Sequence, residues 1–117
     1  MKVFFDVEYK REDERGSLIQ VNTGTWRQFN LLTIYKDKKF GGHYHKHKKE
    51  LFYLLKGEIR IDILYVNTHK SESVLLKPHS NFLIIEPYES HTITANEDST
   101  LIELLSNPYD KYDIYET

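Results

Sequence analysis

The sequence contains no cysteine among its 117 residues. This absence excludes disulfide bonds, thiolate metal ligands and a cysteine nucleophile. It is compatible with a reducing compartment, and we expect a cytoplasmic protein. No run approaches the ~20 apolar residues of a membrane span. The N-terminal segment turns acidic at Asp6 before it reaches signal-peptide length, so we expect a soluble chain with no membrane partner.

An excess of positive charge is also missing, since 16 Lys and Arg stand against 18 Asp and Glu. Without a net positive field, nucleic acid is not an expected partner. No Gly-rich phosphate loop, serine-nucleophile elbow or Rossmann fingerprint is present, so kinase, hydrolase and dehydrogenase functions lack a motif. The length and the even composition indicate one domain over residues 1–117.

The apolar segments have the length and the two-residue period of β-strands. They lie at 18–21, 29–35, 51–55, 59–65, 73–76, 82–85, 91–95 and 101–105, and turn residues separate them. This spacing predicts an all-β sandwich or barrel. Gly57, between two strong strand patterns, predicts a hairpin that joins 51–55 to 59–65. The tail after Pro108 is compatible with a helical turn or an ordered coil.

A histidine-rich segment precedes the strand at 51–55. If it is extended, the two-residue period puts His43 and His45 on one face and Tyr44 on the other. Glu50 has the wrong parity for that face, so the intervening residues 46–49 must turn, which predicts that Glu50 is a neighbour on the adjacent strand. His91 opens a later strand after a sharp turn, in a position to point into the barrel.

Three imidazoles and one carboxylate form a donor set suited to divalent zinc, iron, manganese, nickel or copper. We therefore expect His43, His45, Glu50 and His91 to hold a divalent metal ion. The alternative is that each histidine is a surface residue and that the tract binds metal adventitiously.

The segment Gly42-His43-x-His45-x4-Glu50-x6-Gly57 resembles the first motif of the cupin superfamily, and Pro87-x3-His91-x4-Asn96 is similar to the second. In the second motif Tyr88 stands where cupins usually have glycine, and Asn96 lies one residue late. The resemblance implies an RmlC-like jelly-roll β-barrel with the four metal ligands named above. His47 has no counterpart in the family.

More narrowly, residues 13–18, 42–45 and 108–113 are similar to cupins of surface-polysaccharide synthesis. These include the C-terminal cupin of the capsular polysaccharide assembling protein and the dTDP-sugar ketoisomerases and epimerases. The ketoisomerases have glutamine in place of Glu50, have arginine in place of Phe40 and work without metal. Glu50 therefore favours the metal-binding members, whereas Phe40 departs from the nucleotide-sugar enzymes.

The resemblance implies a nucleotide-sugar isomerase or epimerase that moves a proton beside a ketone. With metal bound, His47 or Tyr53 is the expected proton carrier. Without metal, His43 or His45 is the expected base, and Tyr44, Tyr53 or Tyr88 the acid.

Arg15 is a candidate phosphate ligand, with a surface ion pair to Asp13 or Glu14 as its alternative. Tyr44 and Tyr88 are candidate substrate contacts, and the alternative is that they serve only in packing. We expect a homodimer, because small open barrels expose edge strands that the N-terminal strands of a partner can cover. Two other function classes stay open: a non-catalytic carbohydrate-binding cupin, and a metal-dependent oxygenase or lyase.

Overall fold

A computed structural model describes residues 2–4, 9–20, 24–78 and 82–117, and in this part of the chain every regular element is a β-strand. The strands are β1 Lys2–Phe4, β2 Tyr9–Asp13, β3 Gly16–Gln20, β4 Gln28–Ile34, β5 Lys39–Tyr44, β6 Glu50–Lys56, β7 Ile59–Tyr65, β8 Lys70–Leu76, β9 Phe82–Ile85, β10 Glu89–Ala95, β11 Ser99–Leu105 and β12 Tyr115–Glu116. The predicted all-β structure is confirmed. No helix in the described ranges is long and apolar enough to cross a membrane.

The strands form two five-stranded antiparallel sheets and one separate hairpin. The first sheet has the order β1-β9-β6-β11-β4, and the second has the order β12-β5-β10-β7-β8. Among the described strands, β2 and β3 pair only with each other. Between β4 and β11 the chain passes repeatedly from one sheet to the other, so residues that are close in sequence often face one another across the interior.

The core lies between the two sheets, where the inward side chains of both meet. Strand β7 alternates as the sequence predicts: Ile59, Ile61 and Ile63 are buried, while Arg60 is exposed. Phe52 and Leu101 reach the same interior from the first sheet. Each such side chain, when fully buried, contributes about 1.5–3 kcal/mol relative to an exposed position.

The predicted hairpin at Gly57 is wrong. Strand β6 pairs with β9 and β11 in the first sheet, whereas β7 pairs with β8 and β10 in the second. The turn at Gly57 therefore carries the chain between sheets. An alternating pattern shows that both strands face a core, but it does not show whether they face it side by side or from opposite sides.

Gly57 is needed for two reasons. Its φ is 91°, in the region that favours glycine. A Cβ atom there would lie 2.2 Å from Ser99 Oγ and 2.5 Å from the Asp98 carbonyl oxygen. Ser99 Oγ also accepts a hydrogen bond from the Glu58 N–H at 3.1 Å, so this turn packs closely on the turn between β10 and β11.

The C-terminal tail is an ordered coil that ends in the short strand β12. This strand pairs with β5, with Tyr115 opposite Tyr44 and Glu116 opposite His43. The tail thus returns to the strand that carries the histidine motif.

Replacing Gly57 by Ala should destabilise the protein by about 2–5 kcal/mol, because the left-handed backbone and the clash with Ser99 add. Gly16→Ala is the matched control: its φ of 137° is also positive, but nothing lies within 4 Å of a new Cβ. Urea unfolding should show a clearly smaller loss for the control. Equal losses would mean that the contact with Ser99 is not what requires glycine.

Candidate functional site

A cavity of about 240 Å³ lies between the two sheets. Its lining has a histidine side, a second polar side and apolar residues such as Phe52 and Ile93. The cavity is therefore large enough for a small polar ligand and carries two separate sets of polar groups.

Three imidazoles reach the cavity from the second sheet. His43 is on β5 directly opposite His91 on β10, and His45 follows the end of β5. The centroid of the His43 ring lies 5.0 Å from that of His45 and 5.0 Å from that of His91. The two-residue period puts His43 and His45 on one face, as the sequence predicts, and strand pairing adds His91.

Glu50 approaches the histidines from the opposite wall, which corrects the prediction of an adjacent-strand neighbour. It is the first residue of β6 in the first sheet, whereas β5 belongs to the second. The segment 45–49 crosses the interior between them. One Glu50 oxygen lies 2.7 Å from His45 Nε2, and the other lies 3.2 Å from His91 Nε2.

Backbone carbonyls hold the two buried rings from behind. His45 Nδ1 lies 2.5 Å from the Asp113 carbonyl oxygen, and His91 Nδ1 lies 3.2 Å from the Glu89 carbonyl oxygen. A carbonyl only accepts hydrogen bonds, so each ring carries a proton on Nδ1, and its Nε2 faces Glu50, where it donates when it too is protonated and is a metal ligand when it is not. The ring orientations are therefore set before any ligand binds.

Asp113 has a further role at this end of the cavity. Its buried carboxylate accepts hydrogen bonds from the N–H groups of Lys46 at 2.8 Å and His47 at 3.2 Å. These bonds hold the segment that follows the His-x-His pair. The acidic tail was part of the resemblance stated above, but this contact was not predicted from the sequence.

The charges of the cluster are strongly coupled. Burial alone would raise the pKa of Glu50, but His45 and His91 hold it well below its ordinary value. Burial opposes the charge of His91 too, but Glu50 raises its pKa. Burial and the two neighbouring imidazoles lower the pKa of His43 to about 4. Around neutral pH, Glu50 is therefore an anion and His43 is uncharged.

The geometry of the cluster fits a divalent metal ion. One donor atom from each of His43, His45, Glu50 and His91 can be chosen so that all four lie within 4.8 Å of one another. His45 Nε2 is buried and, although 2.7 Å from Glu50, makes no aligned hydrogen bond. An unsatisfied buried nitrogen is costly, and an ion between the donors would satisfy it.

A second polar side of the cavity lies on the first sheet. Asn30 on β4 and Glu103 on β11 are directly opposite each other, and both line the cavity with Gln28 and Lys48. Lys48 is buried although it lies in the basic run. None of these four was predicted. Glu103 could have been recognised from the sequence, because it is the one acid on the inward strand face that Leu101 and Leu105 define.

Two predicted proton carriers lie outside this cavity. Tyr53 is on the outer face of β6, since the inward face belongs to Glu50 and Phe52, and its ring stacks on Phe82 with 4.7 Å between centroids. The side chain of His47 is exposed. The structure does not bring either one to the candidate ligands.

The predicted substrate contacts also lie elsewhere. Tyr44 faces away from His43 and stacks with Tyr88 and Tyr115, with centroids 6.1 Å and 5.3 Å apart. Arg15 is at the turn between β2 and β3, where its Nη2 lies 2.7 Å from Asp13 Oδ2. The local ion pair that the sequence left as an alternative is therefore present, and ligand contacts by these residues stay predictions.

The model of the polysaccharide biosynthesis C-terminal domain family matches residues 11–114. A search of curated proteins finds no match.

Among solved structures, the chain is similar to a 3,4-ketoisomerase from Helicobacter canadensis, with a TM-score of 0.86 and 18% identity over 99% of this chain and 90% of that chain. It is also similar to a mutant of the 3,4-ketoisomerase QdtA from Thermoanaerobacterium thermosaccharolyticum in complex with TDP-4-keto-6-deoxyglucose, with a TM-score of 0.83 and 20% identity over 98% and 87% of the two chains.

The capsular polysaccharide assembling protein CapF from Staphylococcus aureus gives a TM-score of 0.73 and 21% identity, over 92% of this chain and 32% of CapF. These similarities confirm the predicted RmlC-like cupin jelly roll.

The buried acid Glu103 should make stability depend on pH. Burial and the Glu50 charge raise its pKa above the ordinary 4.5. The folded state therefore binds this proton more tightly than the unfolded state, and Glu103 costs stability as the pH rises through the folded pKa. Glu103→Gln should match the wild type near pH 3 and become progressively more stable than it toward pH 7. Chemical unfolding across this range checks it, and a constant difference would contradict it.

Proposed function

Because the chain belongs to the polysaccharide biosynthesis C-terminal domain family, we propose that it is a nucleotide-sugar ketoisomerase or epimerase of polysaccharide biosynthesis. The observation that carries the proposal is the convergence of His43, His45, Glu50 and His91 in one cavity, opposite a second polar wall. The similarity to QdtA with TDP-4-keto-6-deoxyglucose supports the same substrate class.

We propose a divalent ion as the cofactor, with these four side chains as its ligands. Three neutral imidazoles and one carboxylate leave a local charge near +1, and the ion, when bound, supplies Lewis-acid stabilisation to a ketone or enolate oxygen. Glu50 provides the only negative charge among the four ligands. The Asp113 and Glu89 carbonyls keep the rings turned toward the ion.

The chemistry requires a proton to leave the carbon beside the ketone and another to arrive at a neighbouring carbon. A histidine that binds metal through its ring nitrogen is not free to take that proton. The apolar residues Phe52 and Ile93 line part of the cavity, and apolar walls strengthen electrostatic interactions with a developing negative charge.

The experiment that tests this function is NMR of nucleotide ketosugars in D₂O with protein purified without an affinity tag. Deuterium should enter at a carbon beside the ketone, even if net conversion is small. Ligand binding with no exchange at any such carbon would favour a non-catalytic sugar-binding cupin, and oxygen uptake with ferrous iron would favour an oxygenase.

Substituting Glu50 by Gln tests the cofactor. The change keeps the size but removes the anionic ligand, so metal affinity should fall by about 10-fold or more while the fold persists. Glu97→Gln, in the exposed turn after β10, is the matched control. Metal content and turnover should be measured together. Retained turnover without metal in Glu50→Gln would overturn the cofactor and make His43 or His45 the base.

We also propose that the functional form is a homodimer that buries the outer face of the first sheet. Phe29 and Leu31 on the edge strand β4 are 59% and 63% exposed. The register places Leu104 beside Phe29 and Ile102 beside Leu31 on the same face, and Tyr53 beside Ile102. A second copy can cover this apolar surface with the same surface of its own by a twofold axis.

Light scattering tests this interface. The wild type should be dimeric at micromolar concentration, and Leu31→Glu should be monomeric because it places a charge in the contact. Leu75→Glu is the control, since Leu75 is 49% exposed on β8 of the other sheet. A monomeric wild type, or equal behaviour of the two variants, would contradict the assignment.

A further inference from the structure

If the four cluster residues bind a metal ion, few side chains remain in the cavity that can transfer a proton. Once the four ligands are set aside, the ionisable side chains left among the described cavity residues are Lys48, Glu103 and Tyr109. Tyr109 is 67% exposed, so most of it faces solvent. The Lys48 ammonium group has hydrogen-bond donors and no acceptor, so it is not a candidate for the base. Glu103 is the remaining candidate.

The distance between Glu103 and the cluster allows one ketosugar to contact both. Leu105 pairs with Glu50 across β11 and β6, and Glu103 is two residues earlier on the same inward face. Diagonal neighbours of this kind are about 7–8 Å apart in a sheet. One end of a ketosugar can therefore contact the cluster through its carbonyl oxygen while the adjacent carbon faces Glu103.

A chain of hydrogen bonds orients the Glu103 carboxyl group. The Tyr109 N–H donates to Gln28 Oε1 at 2.8 Å, and Gln28 Nε2 donates to Asn30 Oδ1 at 3.0 Å. Asn30 Nδ2 then donates to Glu103 Oε2 at 3.4 Å. The direction of each amide is thereby fixed, and within the described residues no hydrogen bond reaches Oε1.

The surroundings of Glu103 also suit proton transfer. Burial raises its pKa, and this cause remains when an ion neutralises the Glu50 charge, whereas Asn30, His91 and Lys48 lower it. The ionisable groups that line the same cavity from the neighbouring elements are Glu50 from β6, His91 from β10 and Lys48 from the connection before β6. A carboxyl group with a raised pKa is closer to the range in which it can both take and return a proton.

We propose that Glu103 is the proton-transfer residue of the site and that Asn30 is the residue that positions it. This inference rests on the proposed isomerase function and on the proposed metal ligands. The Glu103 carboxylate takes the proton from the carbon beside the ketone, and the C–H electron pair forms the C=C bond of an enediolate. Glu103 then returns its proton to the former carbonyl carbon, while the neighbouring hydroxyl gives its proton to the enolate oxygen and becomes the new ketone. No oxidant or reductant is consumed.

The test compares the wild type, Glu103→Gln and the control Glu97→Gln, with TDP-4-keto-6-deoxyglucose as the probe in D₂O. Glu103→Gln should lower the rate of deuterium exchange by about 100-fold or more, because it keeps the shape but cannot accept the proton. Its metal content and its affinity for the probe should stay near the wild-type values. Glu97→Gln should exchange as the wild type does.

A second variant separates catalysis from structure. Glu103→Asp keeps a carboxylate and should recover part of the exchange that Glu103→Gln loses, with an acid limb in its pH profile that Glu103→Gln lacks. Asn30→Leu should shift that limb in the otherwise wild-type protein, because it removes the donor to Oε2.

Each result decides between the two proposals. Exchange in Glu103→Gln at the wild-type rate would overturn the role of Glu103 and leave the isomerase function standing. Loss of metal and probe binding together with exchange would show a structural role and would also overturn it. A wild type that neither binds nor exchanges the probe or any other nucleotide ketosugar would overturn the proposed function, and this inference with it.

Discussion

The Glu50 carboxylate, held between His45 and His91, joins the two sheets at the site. A buried carboxylate without partners costs several kcal/mol, so its presence at the start of β6 requires compensating groups on the facing wall. His45 and His91 provide them from the second sheet, at 2.7 Å and 3.2 Å. This contact links β6 of the first sheet to β10 and to the segment 45–49 that follows β5.

The same constraint reaches the end of the chain. His45 can face Glu50 only if its other nitrogen is satisfied, and the carbonyl of Asp113 meets that need. The Asp113 side chain then binds the backbone of Lys46 and His47, so the tail and the histidine segment order one another. A surface-looking tail is in this way part of the buried site.

Local rules predicted the strands and the shared face of His43 and His45, and the resemblance to the cupin motifs added Glu50 and His91 to that pair. Alternation identifies strands, and the His-x-His period identifies a shared face. Strand pairing was harder to predict, because two strands show the same alternation whether they pair in one sheet or face each other across the core. That ambiguity explains both errors: the hairpin at Gly57, and the placement of Glu50 beside β5 instead of across from it.

The site residues that were not predicted from the sequence were missed for different reasons. Asp113 acts on His45 through its backbone carbonyl, which no residue-type pattern can reveal. Glu103 was visible as a lone acid on an apolar strand face, but its relation to Asn30 depends on the pairing of β11 with β4. Tyr53 and Tyr44 were candidates because of their residue type alone. The alternation of side chains along β6 and β5 places both on the faces that point away from the cavity.

Anomalous X-ray diffraction at the metal absorption edge, on crystals of protein purified without an affinity tag, tests most directly whether this cluster holds a divalent ion. A bound ion should give one anomalous peak per chain, about 2.0–2.2 Å from a nitrogen of His43, His45 and His91 and from a Glu50 oxygen. Crystals grown with stoichiometric zinc or manganese that show no peak at the cluster, with His45 and Glu50 still 2.7 Å apart, would contradict it.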